Sequence, residues 1–265
     1  MKDIARDILL FVTAYLPLEA KTVLPYNLAA RKPSHDGVHP VRQELNVVAH
    51  SLGALCAMLA AAHAPKIFSS LTIIDPGIIP PGKIWEMYIR MPKEVMSIGL
   101  KEQYADREAL VADLKKNRRT RGWDTRVLQK FVEKGTVCDE EGSIRLAAHP
   151  RLEWALYFDK DTPKQGYAYM LDIQTPWNAI MPTRPFAVPP ERLTADVARL
   201  PQKTRITWIP NSTHQLPNEF PDLCANVTAL WLQELAQRNQ SPTQSSAQQH
   251  LITWPSRRRD HLASL

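Results

Sequence analysis

The sequence has 265 residues, of which 44% are hydrophobic and 23% charged, and it carries a formal net charge of +6. A chain of this length and apolar content can bury a sizeable core in one domain, with room for an inserted subdomain. The basic clusters at positions 115–121 and 257–259 lack the interleaved aromatic residues of a nucleic-acid-binding surface. We therefore expect solvated basic faces and no nucleic-acid partner.

The cysteines and the apolar segments exclude further classes of protein. Cys56, Cys138 and Cys224 are far apart and show no C-x-x-C spacing, which fits a reducing compartment and argues against a structural metal site. No apolar run reaches the roughly 18 residues that a bilayer requires, so we expect no transmembrane segment. Asp3 and Asp7 stand where a secretion signal needs positive charge.

The first predicted element is an amphipathic helix that ends before Pro17. Its apolar face is formed by residues at the helical spacing i, i+4, i+7, i+8 and i+11. These residues are Ile4, Ile8, Phe11, Val12 and Tyr15.

A strand and a helix come next, with one serine between them. Residues 45–49 (LNVVA) are apolar and partly β-branched, which predicts a buried strand. Residues 52–64 are rich in Ala, Leu and Met, which predicts a helix that Pro65 ends. The chain must therefore turn sharply at Ser51.

The residues around Ser51 match a known catalytic turn. Ala49 and Gly53 lie two positions before and after the serine, where we expect a tight turn to leave no room for bulk. The pattern is that of the nucleophile elbow of an α/β-hydrolase, with Ala in place of the first glycine of G-x-S-x-G. The alternative is that Ser51 only caps the helix.

The middle of the chain begins with a second strand. Residues 71–75 (LTIID) form this predicted strand, which ends at the Pro-Gly pair that follows. Residues 78–170 are helical in pattern and highly charged, with DREALVADLKKNRR and WDTRVLQKFVEKG as the clearest helices. Their place after the second strand predicts a helical cap over an active site.

The last third of the chain returns to the core. Residues 175–190 contain five prolines and are predicted to be irregular. Residues 204–210 (TRITWIP) predict a strand, the loop after it carries His214, and residues 222–237 predict a final amphipathic helix. The Ser- and Gln-rich stretch after it predicts a disordered tail over residues 238–265.

Together these elements predict an α/β-hydrolase fold with a partial, mostly parallel sheet and an inserted helical cap. The predicted division is a first part of the core at 1–77, the cap at 78–170, the second part of the core at 171–237 and the tail at 238–265.

The predicted chemistry needs a base and an acid beside Ser51, in the chain order Ser, acid, His. His214 is the expected base because it lies in a loop between a late strand and the last helix, although a solvated loop histidine fits the same pattern. His50, His63 and His149 are weaker candidates, since they lie in the elbow, at a helix end and in the predicted cap.

The acid remains open between two parts of the chain. Asp75 closes a strand that should lie beside the elbow strand, so its carboxylate can reach the same histidine, and we favour it. It could instead cap the turn that follows. Asp172, Glu191 and Asp196 lie in or near the proline-rich region, where the acid more commonly stands, but none follows a clear strand.

Several stretches resemble a group of fungal α/β-hydrolases: IARDIL, VVAHSLGA, KIFSSLTIIDPGI, WDTRVLQKFVEKG and PNEFPDLCANVTALWL. The group includes peroxisomal lipase-like enzymes, toxin-biosynthesis hydrolases and the acyl-CoA thioesterase of mycophenolic acid biosynthesis. In this group the elbow reads GHSMG and the acid closes the next strand in I-D/E-P. The resemblance implies Ser51 as nucleophile, Asp75 as acid, His214 as base and the Leu52 N–H as an oxyanion donor.

The chain also departs from this group. The relatives carry early strands and a His-Gly loop before the first helix, and that loop supplies the second oxyanion N–H. This sequence begins inside the helix, so we expect an N-terminally truncated chain that has lost this donor. Such a loss usually costs ~10²–10³ in rate. We also expect an exposed elbow-strand edge through which a homodimer could form.

The last three residues bear on localisation. Many members of the group end in a peroxisomal signal of the S-K-L type. Ala263, Ser264 and Leu265 match it in the first and last positions but lack the basic middle residue. The sequence therefore indicates a peroxisomal protein, with a cytoplasmic one as the alternative.

The expected function is that of a serine hydrolase acting on a small-molecule acyl ester or thioester, such as a fatty or polyketide acyl chain in fungal specialised metabolism. The chemistry needs no metal or organic cofactor. The alternative is a catalytically inactive, truncated α/β-hydrolase that acts as a binding or interaction protein.

Overall fold

The fold is centred on a four-stranded parallel sheet. The computed structural model describes residues 2–15, 45–80, 99–140, 142–149, 156, 159, 161–185, 188–200 and 204–240. The strands are β1 (Asn46–His50), β2 (Ser70–Ile74), β3 (Gln103–Tyr104), β4 (Thr136–Cys138), β5 (Ile144–Leu146), β6 (Trp177–Pro182) and β7 (Thr204–Ile209). The main sheet has the order β1-β2-β6-β7.

Helices connect the strands and cover the sheet. They are α1 (Lys2–Leu10), which continues into a π-helical turn (Phe11–Tyr15), α2 (Ser51–His63), α3 (Arg107–Lys116), α4 (Thr125–Lys134), α5 (Thr162–Met170), α6 (Pro190–Val197), α7 (Leu216–Glu219) and α8 (Pro221–Gln240). The predicted elbow strand and helix, the LTIID strand, the TRITWIP strand and the final helix are confirmed within one to three residues at each boundary.

Strand alternation divides the core between the two faces of the sheet. On one face Leu71 and Ile73 belong to a large cluster that also takes in residues of α1, α2, α5 and α6. On the opposite face Ile74, Ile180 and Ile209 pack against α8. Because helices cover both faces, β2 and β6 are buried along their whole length, as in other parallel sheets.

The register of the sheet positions the site. His50 pairs with Ile74 across β1 and β2, so the next residues, Ser51 and Asp75, leave neighbouring strands at the same level. All four strands of this sheet run parallel, and their carboxyl ends therefore meet at one edge. Ligand sites of open α/β sheets form at this edge.

The prediction that residues 175–190 are irregular is wrong, because β6 lies within them. Its prolines stand where a strand tolerates them, since Pro176 precedes the strand and Pro182 ends it. The strand is buried on both faces, so its sequence shows no apolar–polar alternation. Both features hid the strand from sequence analysis.

The segment predicted as a helical cap contains a small sheet as well as helices. β3, β5 and β4 form an antiparallel sheet beside α3 and α4, which the helical pattern did not predict. Further along the segment, α5 packs into the main core: at Gly166 the Leu55 side chain of α2 occupies the space that a Cβ would need. This part of residues 78–170 therefore belongs to the layer that covers the sheet.

The predicted apolar face of the first helix is partly wrong. Ala5 is buried and Ile8 and Leu9 pack against the core, whereas the predicted Phe11 is 40% exposed. Ala5 and residues of α2 belong to the same buried cluster, and Phe11 is not part of it.

The two ends of the chain leave three expectations open. The final helix continues three residues past its predicted end at 237, and the rest of the predicted tail lies outside the described residues. Ala263, Ser264 and Leu265 lie there too. Within the described residues β1 pairs with β2 alone and Val48 is 56% exposed, while the homodimer stays a prediction.

In the described part of the chain, no helix combines the length and apolar character that crossing a membrane requires.

Candidate active site

The turn at Ser51 has an unusual backbone conformation. His50, the last residue of β1, is extended with φ −122° and ψ 145°, and Ser51 begins α2 with φ 54°. A non-glycine residue in this left-handed region costs roughly 1–2 kcal/mol. Such a strained strand-to-helix turn is the defining feature of the nucleophile elbow, because it lifts the side chain clear of the sheet.

One imidazole joins the hydroxyl to a carboxylate. His214 Nε2 lies 2.9 Å from Ser51 Oγ, and His214 Nδ1 lies 2.7 Å from Asp75 Oδ2. Asp75 is 1% exposed. A carboxylate only accepts hydrogen bonds when ionised, so Nδ1–H donates to it and Nε2 accepts from the Ser51 hydroxyl. The predicted nucleophile, acid and base thus meet in one three-residue array, formed by Ser51, His214 and Asp75.

Asp75 itself occupies a second left-handed turn. It follows β2 with φ 34°, and its N–H donates to the Ile180 carbonyl of β6 at 3.1 Å. The turn lies at the carboxyl end of β2, where the Asp75 carboxylate contacts His214. Asp75 therefore contacts His214 through its side chain as well as β6 through its main chain.

The loop of His214 is held by its neighbours in sequence. The Ser212 hydroxyl donates to the Ile209 carbonyl at 2.6 Å, which ties the loop to the end of β7. Glu219 of α7 accepts the Thr213 N–H at 2.9 Å and the Thr213 hydroxyl at 2.8 Å. The residue immediately before the imidazole is therefore fixed through both its main chain and its side chain.

Gly77 joins the turn after Asp75 to the turn at Ser51. Its N–H donates to the Ser51 carbonyl at 2.9 Å, and a Cβ at this position would lie 3.5 Å from Ser51 and 3.6 Å from the Leu52 nitrogen. This contact orients the peptide between Ser51 and Leu52, whose N–H points away from its carbonyl. The expected tight fit at Gly53 is wrong, because outside α2 no described residue lies within 4 Å of a Cβ placed there.

His50 makes a contact that sequence analysis did not find. Its Nε2–H donates to the His214 carbonyl oxygen at 2.8 Å, and the two rings lie 4.8 Å apart. Burial and the neighbouring His214 lower the pKa of His50 to about 4, although the hydrogen bond and Asp75 act in the opposite direction. His50 is therefore neutral at pH 7. In the sequence, the one signal that His50 lies at the site was its position directly before Ser51.

The remaining candidate histidines lie outside the array. His63 binds the Leu59 carbonyl at the far end of α2, with Nδ1 2.8 Å from the oxygen. His149 pairs with Glu102 at 2.8 Å in the inserted segment. Neither contacts Ser51, which leaves His214 as the histidine that does.

The remaining candidate acids also lie elsewhere. Asp196 accepts hydrogen bonds from Tyr167 and Arg192, and burial together with Asp196 raises the pKa of Tyr167 to about 12. Asp172 and Glu191 are exposed, after α5 and at the start of α6. Of these carboxylates, the described structure brings Asp75 alone to His214.

The described residues offer no cluster suited to a metal. No group of three among their His, Cys, Asp and Glu side chains could hold an ion. Cys56 and Cys224 are buried, Cys138 is exposed, and none of the three forms a disulfide within the described residues.

Comparison with known proteins identifies the fold. A family model described as the alpha/beta hydrolase family matches residues 13–227. Among solved structures, the peroxisomal alpha-beta-hydrolase Lpx1 of Saccharomyces cerevisiae superimposes with a TM-score of 0.61 at 21% identity, over 78% of this chain and 58% of that one. The chain thus spans less than two thirds of Lpx1. No curated protein matches the sequence.

Two further structures share the fold. E-2-(acetamidomethylene)succinate hydrolase gives a TM-score of 0.58 at 18% identity, over 72% of this chain and 68% of that one. The thioesterase domain from the curacin biosynthetic pathway gives 0.52 at 16% identity, over 72% and 66%. These likenesses and the family match confirm the predicted fold class.

The backbone conformation of Ser51 predicts that glycine stabilises the protein more than alanine at position 51, whereas alanine stabilises it more than glycine at position 53. At φ 54° glycine is unstrained, so Ser51→Gly should be about 1 kcal/mol more stable to unfolding than Ser51→Ala. Gly53 lies in α2, and outside that helix no described residue lies within 4 Å of a Cβ placed there, so Gly53→Ala should gain up to about 1 kcal/mol. Urea denaturation measures both differences, and a Ser51→Ala protein at least as stable as Ser51→Gly would contradict the strained turn.

The lowered pKa of His50 predicts acid sensitivity. Between pH 6.5 and about 4 the unfolded chain binds a proton that folded His50 excludes, so the free energy of unfolding falls as the pH falls. The full shift corresponds to roughly 3 kcal/mol. Urea midpoints at pH 7 and pH 4.5 should therefore drop more for the parent than for His50→Gln. An equal drop in both proteins would exclude His50 as the source.

Proposed function

Because this chain belongs to the alpha/beta hydrolase family, we propose that it is a serine hydrolase that cleaves a small-molecule acyl ester or thioester. The observation that carries the proposal is the pair of hydrogen bonds made by the His214 imidazole, 2.9 Å to Ser51 Oγ and 2.7 Å to Asp75 Oδ2. A hydroxyl, an imidazole and a buried carboxylate in this order are the parts that acyl transfer through a serine requires.

In the first half of the reaction Ser51 Oγ attacks the substrate carbonyl carbon. His214 Nε2 accepts the hydroxyl proton as the new C–O bond forms, and the Asp75 carboxylate stabilises the imidazolium that results. The imidazolium then gives this proton to the departing alcohol or thiol, which leaves an acyl group on Ser51.

The tetrahedral intermediate carries a negative oxygen that needs a hydrogen-bond donor. We assign this role to the Leu52 N–H, which as a first-turn amide of α2 has no acceptor within the helix. The hydrogen bond from Gly77 to the Ser51 carbonyl supports the assignment, because it orients the peptide that carries this N–H. Each such donor is worth ~10²–10³ in rate.

In the second half of the reaction water releases the acid product. His214 Nε2 takes a proton from water, hydroxide adds to the acyl carbon, and the proton returns to Ser51 Oγ as the acyl bond breaks. The residues of the array serve oxygen and sulfur esters alike, so the choice between them rests with the substrate pocket.

The proposed substrate is a fatty or polyketide acyl chain of fungal specialised metabolism. The sequence resemblance to lipase-like, toxin-biosynthesis and acyl-CoA thioesterase proteins supports this choice. The inserted segment contacts the helices that follow His214, since the Asp124 N–H donates to the Asn218 carbonyl of α7 at 2.8 Å and Arg126 pairs with Asp222 of α8 at 2.8 Å. We propose that this segment selects the acyl group.

We also propose import into peroxisomes through Ala263, Ser264 and Leu265. The yeast neighbour is itself described as peroxisomal. A fluorescent fusion at the N-terminus should appear in peroxisomes when expressed in a fungal cell and should become diffuse when the last three residues are removed. An unchanged distribution after this deletion would contradict the proposal.

Substitution of the three-residue array tests the proposed reaction. Ser51→Ala should lower the rate of hydrolysis of short p-nitrophenyl esters and acyl-CoAs to the background, and Asp75→Asn should lower kcat ~10³–10⁴-fold by placing the wrong imidazole tautomer against Ser51. Asp172→Asn is the matched control, because Asp172 is an exposed carboxylate away from the array and should leave the rate unchanged.

Two results would overturn the proposal. Equal rates for the parent and Ser51→Ala would remove the nucleophile and favour the binding or interaction protein. Full activity in Asp75→Asn, with loss in Asp172→Asn, would move the acid to the region after α5.

A further inference from the structure

We infer that His50 is a positioning residue for the reaction, which holds the main chain of His214 and takes no part in proton transfer. This inference rests on the proposed function, because it assigns His50 a role in orienting the base. His50 stands at the end of β1, directly before Ser51, and therefore joins the nucleophile turn to the histidine loop.

A direct contact joins the end of β1 to the loop that carries His214. His50 Nε2–H donates to the His214 carbonyl oxygen at 2.8 Å across 164 positions of sequence. The two imidazole rings lie 4.8 Å apart with a tilt of 38°, so they also pack against each other. The contact reaches the same residue whose side chain binds Ser51 and Asp75.

The loop that carries His214 is also held on a second side. Glu219 holds the residue before His214, accepting the Thr213 N–H at 2.9 Å and the Thr213 hydroxyl at 2.8 Å. The main chain around the base is thus held by a carboxylate on one side and by the His50 imidazole on the other. Glu219 can fix the loop to α7, but His50 fixes it to the turn that carries the nucleophile.

His50 is suited to holding and unsuited to catalysis by proton transfer. Its Nε2 hydrogen is committed to the carbonyl, and its lowered pKa keeps the ring neutral at the pH of esterase assays. The groups that face it are His214 and Asp75, both already joined in the array. A displacement of about 1 Å in a reacting group can cost ~10²-fold in rate, so a donor at this place has a direct effect on kcat.

Three variants test the inference. His50→Leu removes the donor, whereas His50→Gln keeps an N–H at nearly the place of Nε2. His63→Leu is the control, because His63 lies at the opposite end of α2, away from the array, and also binds a carbonyl, that of Leu59 at 2.8 Å. Circular dichroism confirms that each variant is folded before it is assayed.

The expected result is a fall in kcat of at least ~10-fold for His50→Leu with KM unchanged, recovery to within about threefold of the parent in His50→Gln, and parental kcat in His63→Leu. Full kcat in folded His50→Leu, or a loss that His50→Gln does not restore, overturns the inference. If His50→Leu does not fold, His50→Gln and His50→Asn replace it, since the shorter Asn cannot reach the carbonyl and should lose kcat while Gln retains it.

A spectroscopic measurement separates this inference from the proposed function. The low-field proton resonance of the His214 Nδ1–H that donates to Asp75 should shift or broaden in His50→Leu and stay in place in His63→Leu. The same result is expected when each substitution is made in the Ser51→Ala protein, because the measurement does not require hydrolysis. An unmoved resonance contradicts the positioning role. Equal rates of hydrolysis by the parent and Ser51→Ala contradict the proposed function instead. In that case the resonance of His214 still tests whether His50 positions this residue.

Discussion

The left-handed backbone of Ser51 is the constraint on which the rest of the site depends. An L-residue does not adopt φ 54° unless its surroundings hold it there, and here β1, α2 and the Gly77 hydrogen bond do so. The gain is that the hydroxyl stands clear of both the strand and the helix. The contacts of His214 and Asp75 are arranged around the Ser51 hydroxyl oxygen, whose position this turn fixes.

The parallel sheet explains how residues distant in sequence reach it. β1 and β2 are paired so that Ser51 and Asp75 follow opposed residues, which places Asp75 beside Ser51 without a long loop. His214 comes from beyond β7, two strands further across the sheet, and its loop must span that distance. Side chains hold the main chain of this loop at three points, through Ser212, Glu219 and His50.

Local sequence signals sufficed for some parts of the fold and site. The elbow, the strand before Asp75 and the strand before His214 have short-range signatures, namely β-branched runs that end in turn residues. β6 did not, because burial on both faces removes alternation and its prolines sit at its ends. The antiparallel sheet of the inserted segment consists of strands of two and three residues, too short for a pattern to emerge.

The contacts of His50 and Gly77 were beyond sequence analysis for a different reason. Each joins the region where β1 meets α2 to a loop elsewhere in the chain, and the local sequence does not indicate which residue the partner is. The same holds for the contacts that tie the inserted segment to α7 and α8, from Asp124 and Arg126. Such contacts follow from the topology, and only the folded arrangement of the strands brings them together.

The central claim is that this environment turns one particular hydroxyl into a nucleophile. A fluorophosphonate reacts with activated serines by forming a stable phosphonyl ester, and mass spectrometry of the intact and digested protein locates the adduct. We expect one adduct per chain, on the peptide that contains Ser51. An unlabelled protein, or label spread over other serines in preference to Ser51, would contradict the claim.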